Sequence, residues 1–114
     1  MPLLKIICNK ALDQGRSGDF LKQTSARVAE ILGKPERYVM ISIEHNPQML
    51  FAGSDDLLAY LELKSIGLPD DQTQQLSQAL CQLMEDELAI PTERVYIEFS
   101  RAERHQWGWN STTF

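Results

Sequence analysis

No stretch of this chain approaches the roughly 20 consecutive apolar residues that a membrane-spanning helix needs. The N-terminus also lacks the basic-then-apolar pattern of a secretory leader, because Lys5 interrupts the one apolar stretch there. Cysteine is scarce. Cys8 and Cys81 are the only two, lie far apart and match no metal-ligand or redox spacing, so both are expected as buried free thiols. His45 and His105 stand alone, and neither a glycine-rich phosphate loop nor a nucleophile elbow occurs. Positive charge is in deficit: 11 Lys and Arg face 16 Asp and Glu, for a net charge of −5 and a pI near 4.9. That balance argues against a partner with a phosphate backbone, which requires a positive face. The expectation is a cytoplasmic protein with no metal, cofactor, nucleic acid or membrane partner.

What is present suits one domain with a single modest core. The chain has 114 residues, of which 43% are hydrophobic and 24% charged, ordinary globular values. Leu3–Cys8 is almost wholly apolar, as a buried strand is. Ser17-Gly18-Asp19 offers helix-start chemistry and Gly33-Lys34-Pro35 a stop, with Phe20, Thr24, Val28, Ile31 and Leu32 at helical spacing between them. Tyr38–Glu44 alternates as a strand. Pro47 and Gly53-Ser54 bracket a short apolar run, Met49-Leu50-Phe51.

The order then repeats. Leu57–Ser65 alternates as a strand, and Asp70 or Asp71 is placed to cap a helix with the stripe Leu76, Ala79, Leu80, Leu83, Met84 and Leu88. Pro91 precedes an alternating strand over Arg94–Ser100. Pro35 and Pro91 stand 56 positions apart, and that offset also pairs Phe20 with Leu76, Leu32 with Leu88 and Val39 with Val95. The pattern predicts an α/β (α+β) domain of duplicated β-α-β units: a four-stranded mixed sheet with two helices on one face, since such crossovers are right-handed. The other face, carrying Leu58 and Tyr60, is expected to lack a cover and to drive association. A ferredoxin-like sandwich has the same element order.

Two regions invite chemistry. Met1-Pro2 opens the first strand, and trimming of Met1 would free a prolyl secondary amine there. An α-amino group titrates near pH 8, at about 7.7–8.0, and burial beside another cation lowers it further. A neutral amine at pH 7 is a competent general base. Pro2 acting only to direct methionine removal is the simpler alternative. At the other end, Trp107-Gly108-Trp109 places both tryptophans of the chain around one glycine. Docking of a terminal tail and an aromatic wall for a flat ligand both account for it. The acidic pairs Asp55-Asp56 and Asp70-Asp71 fall at turns, where capping and solvation explain them.

Met1-Pro2, Gly33-Lys34-Pro35 with Tyr38, Ser65-Ile66-Gly67, Arg94-Val95-Tyr96-Ile97 and Gly108-Trp109-Asn110 through Phe114 occur in one order over essentially the whole chain. Together they resemble the macrophage migration inhibitory factor family of the tautomerase superfamily. The resemblance implies a β-α-β duplication that forms a homotrimer, with a cofactor-free keto–enol tautomerase site between subunits. It implies Pro2 as the base, acting on phenylpyruvate and its 4-hydroxyphenyl relative. Lys34 would bind the substrate carboxylate, Ile66 would offer its backbone N–H, and Tyr38, Tyr96, Trp109 and Phe114 would line an aromatic slot. It equally implies a cytokine-like signalling protein with low activity, since some members are secreted without a leader; a ferredoxin-like small-molecule sensor is the further alternative.

The chain departs from the mammalian pattern at three places. Leu58-Ala59-Tyr60-Leu61 replaces a Cys-x-x-Cys, so thiol–disulfide activity does not carry over. Glu98 stands where asparagine is usual, at the rim of the implied slot, and Trp107 where a smaller apolar residue is usual. Both bear on which substrates the slot admits.

Overall fold

The computed structural model describes residues 1–114. Strand β1 (Leu3–Cys8) leads into helix α1 (Gln14–Leu32), a 3₁₀ turn at Glu36–Tyr38 and strand β2 (Met40–His45). Strand β3 (Ala59–Ile66) leads likewise into helix α2 (Thr73–Leu88), a 3₁₀ turn at Thr92–Arg94 and strand β4 (Val95–Ala102). The 56-residue offset carries Leu3 onto Ala59, Leu32 onto Leu88 and the first 3₁₀ turn onto the second, so the duplication is structural. The strand order is β2-β1-β3-β4, parallel within each unit and antiparallel between β1 and β3.

Strand periodicity sends alternate residues of the sheet into one core. Leu4, Ile6, Cys8, Ala59, Leu61 and Leu63 are buried there against Phe20 and Val28 of α1 and Leu76, Leu80 and Met84 of α2. Both helices therefore cover the same face, as the crossover rule requires. The uncovered face differs from its expected apolar character. In register it carries the row Ser42, Lys5, Glu62 and Glu98, then Glu44, Ile7, Tyr60 and Tyr96. Leu58 turns out to be buried beside the start of β3, so it does not contribute to that surface.

Three local expectations also shift. Helix α1 begins three residues before Ser17-Gly18, because the Asp13 carboxylate accepts from the Arg16 N–H at 2.7 Å and caps the helix earlier. Asp70 and Asp71 lie in a 3₁₀ turn (Asp70–Gln72) and do not cap α2, whose first turn follows Gln72 without a side-chain cap. Cys81 is only half-buried, whereas Cys8 is buried; desolvation raises both thiol pKa values.

Both main helices end in left-handed residues, Gly33 (φ 63°) and, at the duplicated position, Ala89 (φ 56°). Glycine adopts this conformation freely and alanine does not. Lys10 supports the second terminus by donating from Nζ to the Leu88 carbonyl at 2.8 Å.

Candidate active site

The site forms where the chain start, the α1–β2 connection and the C-terminal segment meet. Pro2 is fully buried, and its carbonyl accepts from the Met40 N–H at 3.0 Å, which continues the β1–β2 ladder to the sheet end. Met1 and Pro2 thus line a cleft of about 370 Å³ walled by Tyr38, Trp107, Trp109 and Phe114. Burial, and second the positive charge of Lys34, lower the pKa of the Met1 amine, one residue before Pro2, below its ordinary value of 8.0. Lys34 reaches this place because the left-handed Gly33 reverses the chain, with the Lys34 N–H returning to the Ala29 carbonyl at 3.0 Å.

A hairpin supplies the opposite wall. Strands β5 (Gly108–Trp109) and β6 (Thr112–Thr113) pair antiparallel across Asn110 and Ser111, both at positive φ (51° and 64°). Two consecutive left-handed residues make a type I′ turn, the connection that matches strand twist. The Phe114 N–H donates to the Trp107 carbonyl at 3.2 Å and closes the hairpin. Trp109 and Phe114 stack with centroids 5.1 Å apart, and each meets Tyr38 edge-on, at 5.7 and 5.6 Å. The tail is therefore docked on the domain through its rings, and the same rings line the cleft.

Of the residues singled out from sequence, Pro2, Tyr38, Trp107, Trp109 and Phe114 line one cleft, and Lys34 acts on it through its charge. Ile66 lies at the same end of the sheet, two residues past Lys64, the partner of Leu3. Tyr96 and Glu98 do not join them within one chain. Tyr96 pairs in register with Tyr60, which pairs with Ile7 near the far end of β1. It packs on Phe51 at 4.6 Å, beside a second, apolar cavity of about 430 Å³ that includes Leu50 and Leu58. Glu98 accepts from the Tyr60 hydroxyl at 3.1 Å, and Glu62 lies 3.2 Å from the same oxygen. Desolvation and the two carboxylates push the Tyr60 phenol up to about 12.

Sequence reading assigned no role to two arginines. Arg37 lines the Pro2 cleft and lies 4.8 Å over the Tyr38 ring. Arg94 donates to the carbonyls of Leu57, Phe51, Ser54 and Asp56 at 2.9–3.1 Å, and so ties the 51–57 loop beneath Tyr96. Neither belongs to a motif that names its role; Arg37 was identifiable only as a cation three residues past Lys34.

Fold and site together define a small duplicated β-α-β domain whose N-terminal amine opens into an aromatic cleft beside a cation. A family model described as macrophage migration inhibitory factor (MIF) matches residues 1–114. A Brugia malayi macrophage migration inhibitory factor homolog is 42% identical over 99 residues, 86% of each chain. A Trichinella spiralis homolog is 38% identical over 116 residues, 100% of each chain. The crystal structure of a homologue from Prochlorococcus marinus matches with a TM-score of 0.90 at 38% identity, over 98% of both chains. The chain belongs to the macrophage migration inhibitory factor family, within the tautomerase superfamily.

Proposed function

We propose that the chain is a cofactor-free tautomerase of aryl 2-keto acids such as phenylpyruvate, with the Pro2 nitrogen as general base once Met1 is removed. The observation that carries this is that Pro2 lines the aromatic cleft and that the amine now borne by Met1, beside it, is lowered in basicity by burial and by Lys34. The Pro2 nitrogen inherits that environment once Met1 is removed. In the neutral form the nitrogen takes a proton from the carbon beside the ketone, and that C–H electron pair forms a carbon–carbon double bond as the carbonyl π pair moves onto oxygen. The oxygen takes up a proton in balance with the one the nitrogen gives back, which restores the neutral amine. The product is the enol, and the reverse sequence regenerates the ketone. Lys34 supports the reaction twice, by keeping the amine unprotonated and by attracting the substrate carboxylate. A charge-assisted contact of this kind contributes about 1.5–3 kcal/mol.

The proposal includes a homotrimer whose slots are shared between protomers. What supports it is the incomplete site of one chain: Tyr96 and Glu98 stand away from Pro2, and Tyr96 and Leu50 are 65% and 73% exposed. Size-exclusion chromatography with light scattering should give three copies, and a monomer would refute this part. For the chemistry, phenylpyruvate tautomerisation is followed for the wild type and Pro2→Ala. Wild-type turnover that falls by about a hundredfold or more in the variant is expected for loss of a general base; full retention, or a wild type no faster than buffer, refutes it.

A signalling role is the second reading, favoured by the names of the curated relatives, which describe a factor acting on macrophage migration. A cell-migration response that survives Pro2→Ala would place that role outside the catalytic chemistry.

A further inference from the structure

The Pro2 cleft carries a cation on its wall that the proposed tautomerisation does not use. Arg37 follows Glu36 in the 3₁₀ turn after Pro35, and its guanidinium carbon stands over the Tyr38 ring, 4.8 Å from the centroid. The chain's three ion pairs are Arg27–Glu30, Lys64–Glu62 and Arg101–Asp70, so no carboxylate neutralises Arg37. Its side chain also donates none of the chain's side-chain hydrogen bonds, in contrast to Arg94, whose donors are committed to four carbonyls. In a chain of net charge −5, a free guanidinium facing an aromatic cleft is an anion-binding group. The Tyr38 face holds it in place by a cation–π contact and leaves its fork of N–H donors directed elsewhere. Lys34 acts on the terminal amine, and Arg37 contributes to the wall, so the cleft region has two cations at two positions.

We propose that Arg37 is a specificity-determining residue that makes this cleft prefer aryl acids bearing a second acidic group over the corresponding monoacids. The proposal rests on the cleft being the ligand site. One carboxylate is drawn towards Lys34, the aryl ring lies among Tyr38, Trp109 and Phe114, and the second acidic group meets the Arg37 fork. An exposed charge-assisted contact sits at the weaker end of its range, which corresponds to about a tenfold gain in affinity.

The test needs no turnover. Both tryptophans of the chain line this cleft, so intrinsic fluorescence reports on it directly. 4-Carboxyphenylacetate and phenylacetate are titrated into the wild type, Arg37→Gln and Arg37→Lys, with calorimetry as the second readout and circular dichroism to confirm folding. The wild type should bind the diacid about tenfold more tightly than the monoacid. Arg37→Gln should bring that ratio to about one while holding monoacid affinity within twofold, and Arg37→Lys should keep part of the preference. A wild type that binds neither acid or shows no preference, a ratio that survives Arg37→Gln, or equal weakening of both acids overturns the proposal. Phenylpyruvate turnover on the same preparations separates the two readings: a preference without turnover refutes the tautomerase alone, and turnover without a preference refutes the role of Arg37 alone.

Discussion

Phe114→Ala tests whether ring contacts hold the aromatic wall against the body of the domain. Phe114 takes part in two of the three ring pairs of the cluster, stacked on Trp109 and edge-on to Tyr38. Such pairs contribute about 0.5–1.5 kcal/mol each beyond the area they bury. Loss of two removes about 1–3 kcal/mol from docking of the hairpin, a factor of about 5–150 in the docked-to-undocked ratio. Little else opposes release, since each hairpin strand has only two residues and all four are exposed. The core lies elsewhere, among β1, β3 and the two helices, so global stability should change far less than the state of the hairpin. Amide hydrogen exchange should show faster exchange confined to residues 107–114. Tryptophan emission should move to longer wavelength, and phenylpyruvate KM should rise about tenfold with a smaller change in kcat. Unchanged hairpin protection together with ligand affinity within twofold of wild type would refute the premise that these rings build the wall.

Lys34→Gln should move the acid limb of the kcat/KM profile to higher pH, because it removes a charge that disfavours protonation of the terminal amine; part of the depression remains through burial, and a stationary limb contradicts the assignment. A depressed folded-state amine also has a sign for stability: it contributes fully above the unfolded value of 8.0, and stability falls as pH drops from there through the folded value, which pH-dependent denaturant midpoints would report. Ala89→Gly should raise stability by about 1 kcal/mol, since it removes a left-handed alanine, and Tm should rise by about 4 °C; a lower Tm would contradict this. The Tyr60 phenol, raised to about 12, contributes stability that is fully present below about 10 and lost as pH rises between those values. Ultraviolet titration of the three tyrosines should show one late step near pH 12 that Tyr60→Phe abolishes, and retention of that step would assign it elsewhere.

Much of this molecule was legible because its signals are local. The apolar run Leu3–Cys8, alternation in Leu57–Ser65 and Arg94–Ser100, and the apolar stripes of the two helices are local signals that need no partner to be read. The proline spacing exposed the duplication, because Pro35 and Pro91 each open the same 3₁₀ turn. The start of α1 was misread, since Asp13 and Ser17-Gly18-Asp19 carry equivalent capping chemistry and only the bond from Arg16 decides between them. The C-terminal hairpin escaped notice because Asn110-Ser111 lacks the glycine that usually marks a type I′ turn.

The amino-acid sequence by itself determined the order of elements, their two-fold repetition, the apolar face of each and the placement of a proline at the mouth of a core strand. Only tertiary structure decided which residues meet. The β1–β3 register placed Tyr96 near the opposite end of the sheet from Pro2, and the same pairing put Lys5, Glu62 and Glu98 in one row on a face that strand alternation alone had suggested was apolar. It also brought Arg37, ordinary in sequence, over Tyr38 and onto the wall of the cleft. The physical reason is that period and propensity act over a few neighbouring residues, whereas a site is assembled by strand register and chain reversal between segments far apart along the chain.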